Sequence, residues 1–297
     1  MAPRLKPKKP GARGVERALE REVKKALESL DGGRPISEES VHSARKRLKR
    51  ARAELRLMRP ALGDRVYRRE NRALRDAARP LSEARDAKVM VETFQALGLD
   101  HGVNTRRFRA VLAQQRRDAT HKIQNPKRVA AVLGDLRSVH RRVSRARPRR
   151  HGWSVMGPGL RRTYRAGRRA YAAARLRRTP ALLHEWRKQT KYHALQARLM
   201  RLTFPETLED RTSGSRKLAE LLGDAQDIEV VLEGARDWAE APEGFTAALK
   251  ERRKQLIADA TKAGRKLFSE KPKAFHTRLL DPPPEKPRVL APAETIE

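Results

Sequence analysis

Apolar residues recur at i, i+3, i+4 and i+7 through most of the chain, the period of an amphipathic helix. In one stretch Val41, Ala44, Leu48, Ala51, Leu55 and Met58 keep that spacing, with Arg, Lys and Glu between them. No segment alternates apolar and polar residues with β-branched enrichment, so no strand is predicted. The pattern predicts helices over 14–30, 38–59, 64–97, 103–124, 127–146, 157–177, 180–203, 212–239 and 244–268. Gly32–Gly33, Pro60, Gly98, Pro126, Pro148, Pro180, Pro205 and Pro242 punctuate them. Proline lacks the amide proton that a helix interior needs, and glycine favours helix ends. The Pro- and Lys-rich stretch 1–12 and the tail 272–297, with its Asp-Pro-Pro-Pro run, are expected to be disordered.

The chain repeats itself. VHSARKRLKRARAELRLMR (41–59) aligns without a gap with LHEWRKQTKYHALQARLMR (183–201), 142 positions further on, 42 against 184. The identical pairs are His42/His184, Arg45/Arg187, Lys46/Lys188, Lys49/Lys191, Arg56/Arg198, Leu57/Leu199, Met58/Met200 and Arg59/Arg201. Downstream, PLSEARDAKVMVE (80–92) aligns with LLGDAQDIEVVLE (221–233), 141 positions further on, 86 against 227. Two matches in the same order imply a duplicated unit, with a period too long for a solenoid. The expected architecture is all-α, two helical bundles related by a pseudo-twofold, the first about 13–147 and the second about 155–271.

Composition then changes the picture. The chain has 297 residues, with 70 Lys and Arg against 36 Asp and Glu, a formal charge of +34. A small soluble domain usually stays within about ±8, and self-repulsion on this scale opposes compaction unless a polyanion neutralises it. Nucleic acid, an anionic surface or a smaller polyanion are the partner classes that follow. There is no cysteine, which excludes disulfides, thiolate metal sites and Cys nucleophiles. No run of about 18 apolar residues occurs, so no membrane span is predicted. The basic N-terminus lacks a signal-peptide core, and a cytoplasmic location is the expectation.

The positive charge is patterned. At about 100° per residue, His42, Arg45, Lys46, Lys49, Arg52 and Arg56 fall within an arc of about 120°, opposite the apolar residues. The row is about 21 Å long at about 1.5 Å per residue. A face built only for solvation would normally interleave Glu for i,i+4 pairs, but this one carries a single sign, and the second copy repeats it. The helix before the second copy, GLRRTYRAGRRAYAAARLRR (159–178), adds a further cationic face with Arg161, Arg165, Arg168 and Arg169.

Competing chemistry is weaker. His42 and His184 have cationic neighbours and no accompanying ligand pattern, so no metal site is expected. Glu20, Glu22 and Lys24 form an ExExK triplet, which would align its side chains only on a strand; in a helical segment they diverge. Asp86, Asp224, Asp227 and Glu229 read as partners for arginine rather than as catalytic carboxylates. Trp153, Trp186 and Trp238 read as core, and the Gly-Pro-Gly at 157–159 as a break at a helix start.

The H-x-x-R-K-x-x-K element at 42–49 and again at 184–191, the YRAGRRAY segment at 164–171 and the Arg85-Asp86 and Gln226-Asp227 elements resemble the CHAD domain, the conserved histidine α-helical domain. The resemblance covers about 14–270. It implies two four-helix bundles around a basic central cleft or pore that binds inorganic polyphosphate. Carried over by position, the implied contacts are His42, Arg45, Lys46 and Lys49 with His184, Arg187, Lys188 and Lys191, joined by Arg165, Arg168 and Arg169. Arg52, Arg56 and Arg198 extend the same rows. The first half has no YRxGR-like segment before His42. The expected function is therefore non-catalytic polyphosphate binding, with no cofactor and no metal, and with association to polyphosphate granules implied by the resemblance alone. The alternative is sequence-independent binding of RNA or DNA, which the charge by itself would permit, although aromatic residues are only 4% and give little stacking surface.

Overall fold

The computed structural model describes residues 12–32, 35–82, 91, 92, 94, 103–146, 153–235 and 244–279. Its elements are helices: α1 (Ala12–Asp31), α2 (Glu38–Leu57), α3 (Arg59–Leu62), α4 (Asp64–Ala78), α5 (Val103–Gln124), α6 (Pro126–Ser144), α7 (Trp153–Leu176), α8 (Pro180–Met200), α9 (Pro205–Gly234), α10 (Phe245–Leu267) and α11 (Pro272–Arg278). Among the described residues there is no strand. Arg85, Asp86 and Trp238, with the side chain of Trp153, lie outside the described residues.

The helix starts follow from local chemistry. Ser37 accepts from the Ser40 amide at 3.0 Å, and Glu38 and Glu39 fill the first turn of α2 where the helix dipole favours acid. Asn125 accepts from the amides of Lys127 and Arg128, and Thr179 from that of Leu182. Pro126, Pro180 and Pro205 each occupy the first helical position, where the missing N–H costs nothing. Pro205 therefore opens the 30-residue α9, longer at its start than the pattern predicts.

Two buried clusters hold the helices. One joins α1, α2, α4 and α6 through residues such as Val23, Leu48, Leu55, Leu74, Leu136 and Val139. The other joins α7 to α11 through Leu160, Trp186, Leu199, Leu218, Val231 and Ile257. The second cluster also takes in Val15 and Ala18 of α1 and Leu57 at the end of α2, so the two halves are packed into each other. Each fully buried leucine contributes about 2 kcal/mol.

Several boundaries differ from the sequence pattern. The stretch expected as one helix from 64 bends at Arg79, because Pro80 cannot donate to the preceding turn. Gly157–Gly159 does not mark a helix start: α7 begins at Trp153 and carries Pro158 inside it. Gly159 is the point where α7 crosses α2, since a Cβ there would stand 2.1 Å from the Leu57 carbonyl oxygen. Order also runs past 271. Phe275 of α11 is fully buried, its ring 4.6 Å from that of Tyr164, so an aromatic side chain pins a segment whose prolines suggested extended chain.

Candidate functional site

The two cationic rows lie on α2 and α8, and these helices pack against each other. The Gln196 side chain donates to the Ala53 carbonyl at 2.8 Å across the contact. From there the rows approach. Arg56 of α2 lies over the ring of Tyr192 of α8 at 4.1 Å, and Arg52 over the same ring at 5.8 Å. Such stacking orients guanidinium groups without removing their charge. Arg52 also donates to Asn71 at 3.2 Å, and burial lowers its pKa, partly offset by Tyr192.

Lys191 is the focus. Burial, then Arg187, then Lys49, pushes its ammonium down to about 7, with Asp227 opposing and Arg45 adding to the repulsion. Three cations from the two rows, Arg187, Lys49 and Arg45, thus lie close enough to Lys191 to act on its charge. Like charges gathered in a partly dry space repel unless an anion enters between them.

The arginines of this group are held from behind. Arg45, 9% exposed, donates to the Leu81 carbonyl at 2.7 Å. Arg187 donates to Gln226 at 2.9 Å, and its guanidinium lies over Gly223. In both copies the arginine of the H-x-x-R-K element therefore bonds to a residue of the downstream repeat, Leu81 in the first and Gln226 in the second.

The remaining predicted residues divide. His42, Lys46, Lys49 and His184 are exposed on their rows. Lys188 is half-buried and forms an ion pair with Glu185. Arg198 is exposed and borders a small recess with Arg50 and Glu54. On α7, Arg165 and Arg169 are exposed and line a cavity of about 610 Å³ with Arg161 and Arg162. Arg168 turns away from that cavity's lining and donates to the Phe268 carbonyl at 3.0 Å, closing the end of α10. The wheel puts it on the face of Arg165, and the carbonyl that draws it away lies 100 residues on in sequence.

Tyr192 and Tyr67 are the positioning residues the pattern missed. Arg59 lies over Tyr67 at 4.6 Å. The available signal was a tyrosine directly following Lys191 in the second repeat. The other features settle as structure. Trp186 is 1% exposed and packs against Tyr171. Glu22, fully buried on helix α1, pairs with Arg47 at 3.1 Å, and Glu20 and Lys24 share that helix. Glu229 pairs with Arg253 at 2.7 Å. Among the described residues no group of three or more His, Asp or Glu could hold a metal ion, and no helix is long and apolar enough to cross a membrane.

Residues 15–236 match the family model of the CHAD domain. No curated protein matches the chain. Among solved structures, the crystal structure of the CHAD domain from the plant Ricinus communis matches over 94% of each chain, at 15% identity and a TM-score of 0.56, a likeness of fold.

Proposed function

This chain belongs to the CHAD domain family, and on that premise we propose that it is a non-catalytic module that binds inorganic polyphosphate at the α2–α8 crossing. The family is associated with polyphosphate binding in general. The observation that carries the reading here is the gathering of Arg45, Lys49, Arg187 and Lys191 around one partly dry position. Internal phosphates of the polymer carry about one charge each and offer only acceptor oxygens, which suits a row of guanidinium and ammonium donors. His42, Lys46, Arg52, Arg56, His184, Lys188 and Arg198 extend the track, and Arg165 and Arg169 flank it on α7.

The reading includes a duplicated architecture, two bundles within 13–271 about a basic cleft. Lys49 and Lys191 are counterparts in the repeat and also repel each other, as counterparts would where a pseudo-twofold passes through the crossing. Association with polyphosphate granules is part of the same proposal.

A competition titration tests it. Labelled long-chain polyphosphate is bound at about 150 mM salt, where long-range attraction between exposed charges is screened, and challenged with RNA and double-stranded DNA. Displacement by unlabelled polyphosphate alone is the expected result. Ready displacement by RNA or DNA would make the cationic rows a general nucleic-acid surface and end this reading. Replacing Arg187, Lys188 and Lys191 together by Ala should lower polyphosphate affinity by at least about tenfold, on the order of 1.4 kcal/mol.

A further inference from the structure

The cavity of about 610 Å³ between α7 and α8 differs in kind from the open rows. Arg161, Arg162, Arg165 and Arg169 face it from α7, above small apolar residues, and Leu182 and Glu185 close it from α8. Four arginines are among the residues that line a volume large enough for a few phosphates, whereas the rows run along helices. Glu185 is the single carboxylate in its lining.

That carboxylate is engaged. One oxygen of Glu185 pairs with Lys188, and the other accepts from Gln189 at 2.6 Å. Partial burial opposes its ionisation, but the bonds from Lys188 and Gln189, with smaller contributions from the charges of Lys188 and Arg56, hold its pKa below the ordinary value. The carboxylate therefore lines the cavity and also pairs with Lys188 of the proposed track, satisfying it as a phosphate oxygen would.

We infer that the α7–α8 cavity, which includes Arg165 and Arg169 from the flank of the proposed track, takes a short phosphate chain or a chain end, and that Glu185 is its internal competitor. This rests on the proposed polyphosphate binding and adds a location, a ligand length and a control to it. A terminal phosphate carries more charge than an internal one, because its second ionisation falls near pH 6. It gains most from several guanidinium groups converging on one place. When it enters, Lys188 exchanges the carboxylate for phosphate oxygens, and Glu185 is released toward solvent. The carboxylate thereby sets a threshold: ligands too weakly charged to displace it are rejected.

The test titrates tripolyphosphate and long-chain polyphosphate into wild type, Glu185→Gln, Lys188→Ala, their double variant, and Glu251→Gln. Glu251 is an exposed residue of α10 that pairs with Lys254, so it controls for net charge. Glu185→Gln should tighten tripolyphosphate binding about fivefold, a typical coupling between neighbouring charges. Glu251→Gln should change it less than about twofold, and the gain should vanish in the Lys188→Ala background. Arg162→Ala with Arg169→Ala should weaken tripolyphosphate more than long-chain binding. Equal effects of Glu185→Gln and Glu251→Gln, with wild type binding both ligands, would overturn this inference alone. Wild type binding neither chain would overturn the polyphosphate reading, and this inference with it. Unchanged helical circular dichroism and melting temperature of Glu185→Gln make the comparison one of binding rather than folding.

Discussion

In the proposed polyphosphate site, a lysine whose ammonium sits near neutrality makes binding proton-linked. Below about pH 7 Lys191 carries its charge, and above it the charge is largely lost. An entering polyanion supplies the compensation that Arg187, Lys49 and Arg45 deny it, so binding raises its pKa and takes up a proton. Polyphosphate affinity should therefore rise as pH falls from about 8.5 to about 6, and titration in buffers of different ionisation enthalpy should register the uptake. Lys191→Arg, charged throughout, should flatten the profile above about pH 7, which separates Lys191 from His42 and His184 on the same rows. An unchanged profile in that variant would remove Lys191 from the linkage. The sign for stability is the opposite. Between about 7 and its unfolded value near 10.5, the unfolded chain holds the proton that the native lysine has shed. Its contribution to stability without ligand thus rises with pH across that window. The identities of these residues were legible from the repeat and the wheel. What the sequence could not tell was which of them meet: Arg168 takes the same face of its helix as Arg165, yet ends on a carbonyl of α10.

At the scale of elements, the helical periodicity was readable, and so was much of its punctuation: Pro126 and Pro180 stand where helices expected from 127 and 180 begin, each at a first helical position that tolerates the missing amide. Gly157-Pro158-Gly159 was misread. A glycine mid-helix weakens the local signal, but here it is a packing requirement set by α2, a helix about a hundred residues earlier. Gly159→Ala would place a Cβ against the Leu57 backbone. Backbone cannot swing aside as a side chain can, so the variant should lose about 3 kcal/mol in denaturant unfolding. Loss of under about 0.5 kcal/mol, within the range of neutral surface changes, would mean that α7 and α2 separate at little cost. The start of the tail, 272–279, departs from the expected extended chain because one aromatic, Phe275, is buried there. Phe275→Ala should cost about 3 to 5 kcal/mol. It empties a space shared with Tyr164 and with His193, a buried histidine that its surroundings keep neutral, with a pKa of about 3.

For the whole molecule, the charge of +34 is a property of the fold as well as of the ligand. Much of it is answered locally. Glu70 is reached by Arg142 and Arg69, and Glu270 by Arg211 and Arg278, so these arginines brace helices rather than await a partner. Other cations gather at the α2–α8 crossing, and four arginines share the lining of the α7–α8 cavity with its single carboxylate, Glu185. Composition alone could not separate these two populations, since an arginine that braces and one that binds are the same letter. The family resemblance pointed to the crossing, and the cavity emerged only once α7 and α8 were packed. Localised repulsion makes a prediction about stability. Saturating polyphosphate at about 100 times its Kd should stabilise the native state by about 2.7 kcal/mol, which for a chain of this size is a rise in melting temperature of about 4 °C. Sodium chloride at the same phosphate-equivalent concentration should give almost none of it, because micromolar salt leaves the screening length unchanged. If double-stranded RNA at equal phosphate produced the same rise at about 150 mM salt, the charge would be stabilised by any polyanion, and the rows would lose their claim to a particular one. A rise confined to polyphosphate, abolished by Lys49→Ala with Lys191→Ala, would tie the stabilisation to the two lysines that the repeat makes counterparts.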